Sequence, residues 1–445
     1  MLGFPISIDQ PAQHSGPLPK ACDVVVIGGG IIGVMTAWFL TRAGQKVLIC
    51  EKGRVSAEQS GRNWGWIRQQ GRDADELPIM VESLAIWHDL VAELGEALGF
   101  RQGGAVYMAN GAKDMAEFEE FMPHARANGL DTRMLTKPEL SALLGADIWR
   151  GGMVTPSDAR AEPWVAVPVI AQALAEKGCV IVENCAVRGL DSSNGRVTGV
   201  VTELGEVACN AVVLAGGAWS SLFLRAQGVG LPQLSVLSSV AATDAMPQIF
   251  PGNAADSRFA FRRRVDGGYT IAPGSAHDFF IGPDAFRHFT RFLPVLRKDF
   301  TSTRFRAAAP TGFPDAWGTA RVWDISCGSP FEDMRVLNPA PNMKALAAVQ
   351  DAFAAAYPQL GRPKLRSVWG GMIDTMPDVV PVLDEAPLAG LFIATGMSGH
   401  GFGIGPGIGR VMADRVMGKP AGHDLTRFRL ARFSDGSKIK PAPAL

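Results

Sequence analysis

The chain has 445 residues, of which 47% are hydrophobic, and its 43 basic residues balance 43 acidic ones. This length can hold two or three domain-sized units around a large core, and zero net charge argues against nucleic acid or an anionic membrane surface as a partner. The six cysteines form no CxxC pair and the seven histidines show no HxxxH or HxH spacing. We therefore expect reduced thiols and no metal site.

The first twenty residues form a proline-rich lead without the basic-then-apolar form of a secretory signal. We expect residues 1–20 to be loose, and residues 436–445 as well. Residues 24–40 carry no charge, but a triple glycine interrupts them, so we reject a membrane span. The sequence predicts a soluble, cytoplasmic protein without a membrane anchor.

Residues 23–51 combine a β-branched strand, a glycine turn, an apolar helix and a second strand that ends in an acid, Glu51. In this pattern Gly28 permits the tight turn, Gly30 lets the backbone approach a pyrophosphate, and Gly33 allows close packing of helix and strand. The helix N-terminus stabilises the diphosphate, and the acid accepts the ribose hydroxyls. The stretch therefore predicts dinucleotide binding.

Residues 52–73 follow the acid and contain small and polar residues between two apolar regions. Two tryptophans, Trp64 and Trp66, would be costly in a surface loop. We interpret the stretch as a loop that runs along the pyrophosphate and ribityl chain toward a flavin ring. The alternative is an ordinary surface loop with turn residues.

A second glycine-rich helix start lies near the C-terminus. A strand at 391–394 leads into the sequence GHGFG, Pro406 stands where a first helical turn tolerates proline, and an apolar helix continues to Val416. Such a helix start would stabilise the negative charge of a reduced flavin. Simple close packing is the alternative. A nicotinamide dehydrogenase has no need of this second motif, so its presence favours FAD.

The nucleotide-binding signals lie in three segments that we assign to one domain: residues 21–75, 155–235 and 366–435. The segments between them are predicted to form a substrate-binding domain, mainly helical over 76–154 and rich in strands over 236–365. The fold class is therefore α/β, with a Rossmann-like FAD-binding domain interleaved with an α+β substrate-binding domain that has an antiparallel sheet. The substrate is expected between the two domains.

Five stretches together resemble the D-amino-acid oxidase (DAO) superfamily of FAD enzymes: the Gly28 fingerprint and residues 59–63, 184–190, 212–223 and 400–410. The resemblance covers nearly the whole chain and implies a DAO-type cofactor domain. Within this superfamily the chain is most similar to bacterial L-amino acid deaminases and L-amino acid oxidases or dehydrogenases. That similarity rests on four further stretches: residues 51–62, 261–273, 329–336 and 368–383.

The glycine motifs and the resemblance together imply a set of FAD contacts: Gly28, Gly30, Ile32, Gly33, Glu51, Lys52, Ser60, Gly61, Arg62, Asn63, Trp64, Gly65, Val187, Ala215, Gly216, Gly217, Trp219, Gly371, Gly399, Gly401, Phe402 and Gly403. Val187 would hold the adenine through its backbone. No histidine or cysteine stands where a flavin tether is evident, so we expect FAD to bind non-covalently.

The resemblance places a carboxylate-binding arginine at Arg262. A guanidinium fork would bind the carboxylate by two parallel bonds and fix how Cα faces the flavin. The alternative is three solvated arginines, residues 262–264, on a sheet edge. Four further residues are expected on the substrate side of the flavin: Trp66, Gln70, Trp369 and His400. His400 could equally hold the backbone without transferring a proton.

The similar enzymes imply oxidation of L-amino acids, including basic ones such as L-arginine or L-lysine, to 2-oxo acids and ammonia. Many D-amino-acid oxidoreductases carry an arginine where this chain has Gly371-Met372-Ile373, and its absence favours L-specificity. The alternatives are a D-amino acid or secondary-amine (sarcosine-like or opine) oxidoreductase, or a flavin subunit of a hetero-oligomer. Oxygen, a soluble acceptor or a quinone could take the electrons, and a homo-oligomer is compatible with the sequence.

Overall fold

The computed structural model describes residues 2–299 and 302–442. Within these ranges the strands are β1 (Val24–Ile27), β2 (Val47–Glu51), β3 (Trp66–Ile67), β4 (Arg101–Gln102), β5 (Ala105–Ala109), β6 (Arg133–Thr136), β7 (Gly151–Thr155), β8 (Ala159–Arg160), β9 (Val180–Glu183), β10 (Val187–Ser193), β11 (Arg196–Thr202), β12 (Gly205–Ala208), β13 (Ala211–Leu214), β14 (Leu234–Thr243), β15 (Asn253–Ala255), β16 (Ala260–Arg263), β17 (Tyr269–Ala272), β18 (His277–Phe280), β19 (Thr303–Arg306), β20 (Leu365–Thr375), β21 (Val382–Glu385) and β22 (Leu391–Thr395).

The α-helices of the same ranges are α1 (Ile31–Arg42), α2 (Gln59–Arg62), α3 (Leu77–Leu94), α4 (Ala112–Ala127), α5 (Lys137–Leu144), α6 (Pro163–Glu176), α7 (Ser220–Ala226), α8 (Pro283–Arg287), α9 (Phe289–Asp299), α10 (Pro330–Asp333), α11 (Met343–Ala356) and α12 (Gly401–Val416). None of these helices combines the length and apolar character needed to cross a bilayer. In the described part of the chain, no three His, Cys, Asp or Glu side chains are grouped as metal ligands.

A six-stranded sheet has the order β21-β22-β13-β1-β2-β9, and its five strands from β22 to β9 are parallel. These strands are short apolar runs, as expected for parallel strands buried on both faces. Helices α1 and α12 cross closely: a Cβ on Gly409 would lie 2.5 Å from the Met35 backbone and Cβ. The predicted Rossmann-like layer is confirmed, although α12 begins at Gly401, so Pro406 lies inside it rather than in its first turn.

A ten-stranded, mainly antiparallel sheet has the order β19-β18-β14-β17-β16-β15-β5-β7-β6, with β20 also paired to β14. The antiparallel sheet was predicted, but two of its contributors were not. Residues 76–154 are mainly helical, as predicted, but they also supply β5, β6 and most of β7 to this sheet. Residues 365–375 form β20, which pairs with β14 along most of its length instead of joining the six-stranded sheet.

The lead is not loose over residues 2–20, and the reason is that buried polar side chains bind its backbone. The Glu183 carboxylate accepts from the Gln13 N–H at 2.6 Å, and the Arg54 guanidinium donates to the Gln10 carbonyl at 2.6 Å. The ring of Phe4 packs edge-on against that of Trp164, with centroids 6.1 Å apart.

The described part of the tail, residues 436–442, is also attached, which corrects the prediction for that end. The Lys440 carbonyl accepts from Arg427 at 2.7 Å, and the Ala442 N–H donates to the Asp378 carbonyl at 3.0 Å. The remaining residues of the predicted loose tail, 443–445, lie outside the described residues.

Candidate active site

A single continuous cavity of about 470 Å³ is lined by residues from both large sheets. Its walls are the carboxyl ends of β1, β2 and β13, the α2 segment, the paired strands β14 and β20, and the start of α12. Ligands of open α/β sheets bind outside the carboxyl ends of the strands. The cavity therefore lies where the sequence predicts the cofactor.

Most of the predicted cofactor contacts line this cavity: Gly28, Gly30, Ile32, Glu51, Lys52, Ser60, Arg62, Asn63, Trp64, Val187, Ala215, Gly216, Gly217, Trp219, Gly371, Gly399, Gly401 and Phe402. Four predicted contacts do not: Gly33, Gly61, Gly65 and Gly403. Their role is close packing, since a Cβ on Gly33 would lie 2.0 Å from the Gly28 carbonyl oxygen and one on Gly61 would lie 2.2 Å from the Ser56 oxygen.

Glu51 closes one end of the cavity. Its Oε2 accepts from the Gly29 N–H and its Oε1 from the Gly53 N–H, both at 2.7 Å. Burial raises the pKa of Glu51 to about 7, although Lys52 and the two N–H donors act in the opposite direction. Each carboxylate oxygen can still accept from another donor, as a ribose hydroxyl would require.

The α2 segment crosses the middle of the cavity. The Ser60 hydroxyl accepts from the Ile31 N–H at 2.9 Å, and no side chain caps α1 at Gly30. Arg62 lines the cavity, yet its donors bind the Ala57 carbonyl at 2.6 Å and the Gly370 carbonyl at 2.8 Å. Arg62 therefore holds the segment in place. The N–H groups at the start of α1 that follow Ile31 are available for a phosphate.

His400 stands at the N-terminus of α12 and faces the cavity. It is 9% exposed, and neither of its ring nitrogens has a hydrogen-bond partner among the described residues. Burial, with Arg68 and Arg72 nearby, holds the pKa of His400 well below its usual value. The imidazole is therefore neutral, with one donor and one acceptor available for a ligand.

Three aromatic rings, those of Trp64, Trp66 and Tyr107, line one part of the cavity, which we call the aromatic end. The Trp64 and Trp66 centroids are 5.5 Å apart, and Trp66 lies 6.3 Å from Tyr107. The Trp66 Nε1 is buried without a partner in the described residues. A Cβ on Gly403 would lie 3.1 Å from the Trp66 carbonyl, so this wall packs directly on α12.

At this aromatic end Arg68 is the cation whose guanidinium keeps N–H donors that bind no acceptor within the described residues. Four arginines line the cavity, and Arg54, Arg62 and Arg72 each donate to three or more protein acceptors. Arg68, 8% exposed, donates to the Gln70 carbonyl and forms no ion pair within the described residues. Its guanidinium lies 5.7 Å from the Tyr107 ring centroid. Neither Arg68 nor Tyr107 is among the site residues predicted from the sequence.

A family model described as FAD dependent oxidoreductase (DAO) matches residues 23–415. The chain belongs to the DAO family. It is similar to L-amino acid deaminase from Proteus myxofaciens, solved in complex with anthranilate, with 31% identity, a TM-score of 0.90 and coverage of 95% of each chain.

Two curated relatives are named for another substrate, sarcosine. Sarcosine oxidase subunit beta from Arthrobacter sp is 24% identical over 96% of this chain and 94% of that protein. Mitochondrial sarcosine dehydrogenase from Mus musculus is 25% identical over 95% of this chain, but this chain spans only 42% of that protein.

FAD is the cofactor of the DAO family, and the cavity fits it. Gly28 and Gly30 line the cavity at the start of α1, and neither position admits a side chain: a Cβ on Gly28 would lie 2.5 Å from the Ala215 oxygen and one on Gly30 would lie 2.8 Å from the Ser60 hydroxyl. Glu51 is available for the ribose, and the start of α12 for the flavin. The predicted cofactor is thereby confirmed.

The affinity for FAD is expected to fall as the pH drops through about 7. The ionised Glu51 carboxylate accepts from ribose hydroxyls, and protonation removes part of this capacity, because the pKa of Glu51 is raised to about 7. Below that pH, Kd should rise by up to about tenfold per pH unit. Fluorescence titration of the apoprotein at several pH values measures it. A Glu51→Gln control should bind more weakly with a flat profile; the wild-type slope in that control would contradict this role of Glu51.

Arg262 does not line the cavity, which corrects its predicted role in carboxylate binding. Its guanidinium is fully buried and forms a double hydrogen bond with Glu162, at 2.8 and 3.0 Å. Its Nε donates to the Trp64 carbonyl at 2.5 Å. Arg262 therefore lies behind the aromatic wall and fixes the Trp64 backbone, and a carboxylate of the protein takes the position expected for one of the substrate.

Gln70 and Trp369 also lie outside the cavity lining, unlike Trp66 and His400. The Gln70 Oε1 accepts from the Thr155 hydroxyl at 2.9 Å, which turns the amide into the protein interior. The Trp369 Nε1 donates to the Arg62 carbonyl at 2.9 Å, and its ring lies 5.9 Å from that of Phe4. Gln70 and Trp369 therefore do not face a substrate. They support the segment that carries Trp64 and Trp66.

Proposed function

We propose that this FAD-dependent oxidoreductase oxidises the Cα–N bond of an L-amino acid, which yields a 2-oxo acid and ammonia after hydrolysis of the imino acid. One observation carries the proposal: Arg68 is a buried guanidinium without an ion pair at the aromatic end of the cavity. A guanidinium fork suits a carboxylate, and a single fixed contact orients Cα. FAD, when bound, accepts the hydride equivalent from the substrate.

The other residues of the aromatic end position the substrate and exclude water. Trp64, Trp66 and Tyr107 form apolar walls, so the carboxylate contact with Arg68 acts in a region of low dielectric constant. The neutral His400 can accept a hydrogen bond from the substrate amine, which has to arrive uncharged for its lone pair to assist the oxidation. Positioning of this kind supplies much of the rate advantage of an enzyme.

We further propose basic side chains for the substrate. Helix α4 brings Asp114, Glu117 and Phe118 to the cavity lining. One Asp114 oxygen accepts from the Asn110 N–H at 2.6 Å, whereas among the described residues Glu117 has only Lys113 as an ion partner, at 3.7 Å. An exposed carboxylate, Glu117, and a buried cation, Arg68, that line the same cavity complement an amino acid with a positive side chain.

Glu117→Gln is expected to raise KM for L-arginine and L-lysine about two- to fivefold, because exposed charge pairs contribute less than about 1 kcal/mol. KM for L-leucine should stay unchanged. Steady-state kinetics with a soluble electron acceptor measures both, and Glu120→Gln, on the same helix but outside the cavity lining, is the matched control. Equal changes for basic and neutral substrates would contradict a role of Glu117 in side-chain selection.

Product analysis tests the proposed reaction. The FAD-loaded protein is incubated with single L-amino acids and a soluble acceptor, and ammonia and 2-oxo acid are quantified. We expect equal amounts of the two from L-amino acids and none from D-amino acids. Turnover of D-amino acids alone would contradict the proposal.

Oxidation of a secondary amine is the second candidate, because both curated relatives described above are sarcosine enzymes. Arg68 would bind the carboxylate of an N-methyl amino acid in the same way. The products differ, since cleavage of an N-methyl group releases formaldehyde instead of ammonia. Formaldehyde from sarcosine or another N-methyl amino acid, without ammonia from L-amino acids, would favour this candidate.

A further inference from the structure

The segment 329–338 contains one of the stretches singled out in the sequence, and it crosses the Glu51 end of the cavity. The Lys52 ammonium donates to the carbonyls of Met334 and Arg335, each at 2.9 Å. A Cβ on Gly53 would lie 2.2 Å from the Arg335 oxygen, so the two backbones are in direct contact. The segment therefore rests on the turn that follows Glu51.

Arg335 joins this turn to a second one. Its guanidinium forms a double hydrogen bond with Glu203, at 2.8 and 2.6 Å, and donates to the Lys52 carbonyl at 3.0 Å. Glu203 in turn accepts from the Ala186 N–H at 2.7 Å. One side chain thus connects the residue that follows Glu51 with the residue that precedes Val187.

The Arg335–Glu203 ion pair is partly buried, so it can stabilise the position of the two turns that it connects. Its side chains are 26% and 11% exposed, so water screens the pair only in part. A second double hydrogen bond, between Arg188 and Glu332 at 2.8 Å for both contacts, holds the same segment. Bidentate pairs of this type restrict geometry as well as adding energy.

We propose that Arg335, acting through Glu203 and the Lys52 backbone, is a positioning residue that sets the preference of the protein for FAD over FMN. The two turns it connects carry Glu51 and Val187, which line the cavity where the ribose and adenine of FAD would bind. FMN lacks this adenosine half. The flavin half would contact α2 and the start of α12, to which Arg335 makes no hydrogen bond within the described residues. The proposal depends on the cofactor and not on the amino acid substrate.

Arg335→Ala tests the proposal through cofactor affinities. Apoprotein is titrated with FAD, with FMN, and with ADP, which carries the adenosine and the diphosphate of FAD without the flavin. We expect Kd for FAD and ADP to rise about tenfold or more, and Kd for FMN to stay within about twofold. Arg335→Lys, which keeps one donor, should recover part of the loss.

Arg321→Ala is the matched control, because Arg321 pairs with Asp315 at 3.1 Å with similar exposures, 20% and 26%, outside the cavity lining. It should leave all three affinities unchanged. Glu203→Gln is judged by the same criteria and replaces Arg335→Ala if that variant fails to fold. An equal loss of FAD and FMN affinity, or an unchanged Kd for FAD, would overturn the proposal.

Discussion

Arg68→Ala is expected to raise KM for the amino acid about 100-fold while FAD remains bound. A charge-assisted, two-pronged hydrogen bond in a buried site contributes about 2–3 kcal/mol, and 1.4 kcal/mol corresponds to a factor of ten. Arg68 is 8% exposed and forms no ion pair in the described residues, although burial raises the pKa of the Asp158 carboxyl and the charge of Arg68 partly offsets that rise. The loss should appear mainly in substrate binding, with a smaller effect on stability through the electrostatic interaction of Arg68 with Asp158.

Steady-state kinetics and the flavin absorption spectrum check this expectation together. Arg68→Lys serves as the comparison: it keeps the charge but loses the planar fork, so its KM should lie between those of the wild type and Arg68→Ala. An unchanged KM in Arg68→Ala, with FAD bound, would contradict the carboxylate-binding role and with it the proposed orientation of the substrate.

Arg262→Ala is expected to destabilise the protein by about 3–5 kcal/mol, because it leaves a buried carboxylate without its partner. Glu162 receives two hydrogen bonds from Arg262, and within the described residues its Oε1 otherwise accepts only from the Val265 N–H at 3.0 Å. The aromatic wall would also lose the contact that fixes the Trp64 carbonyl. Thermal and denaturant unfolding of the FAD-loaded protein measure the effect.

A double variant separates the charge from the packing at this position. Arg262→Met combined with Glu162→Leu replaces the buried pair with apolar side chains and should recover most of the lost stability. Wild-type stability of Arg262→Ala, together with a large and selective rise in KM, would instead return Arg262 to the substrate site.

The cofactor half of the site could be predicted because its signals are contiguous. Gly28, Gly30 and Glu51 belong to one strand–turn–helix–strand unit, in which each element supports the interpretation of the next. Arg262 could not be placed in this way, because its partner Glu162 lies 100 residues away in the sequence. No local sequence pattern indicates that the guanidinium of Arg262 is already paired with a carboxylate of the protein.

The sequence contains a pattern from which Arg68 could have been predicted to line the cavity. Arg68 follows Trp66 by two positions in an extended segment, and alternate residues of such a segment point to the same side. No such pattern indicates Tyr107, because it lies on β5 in a region predicted to be mainly helical. The lead was predicted loose from its prolines, yet its carbonyls are bound by the side chain of Arg54, a contact that composition cannot show.

Anaerobic mixing of the FAD-loaded protein with single amines tests the central claim most directly. L-amino acids, D-amino acids and N-methyl amino acids are compared by the loss of the visible absorption of the oxidised flavin. We expect L-amino acids alone to bleach the flavin, with basic side chains the most effective. Bleaching only by D-amino acids or N-methyl amino acids would leave the fold and cofactor intact and contradict the proposed substrate.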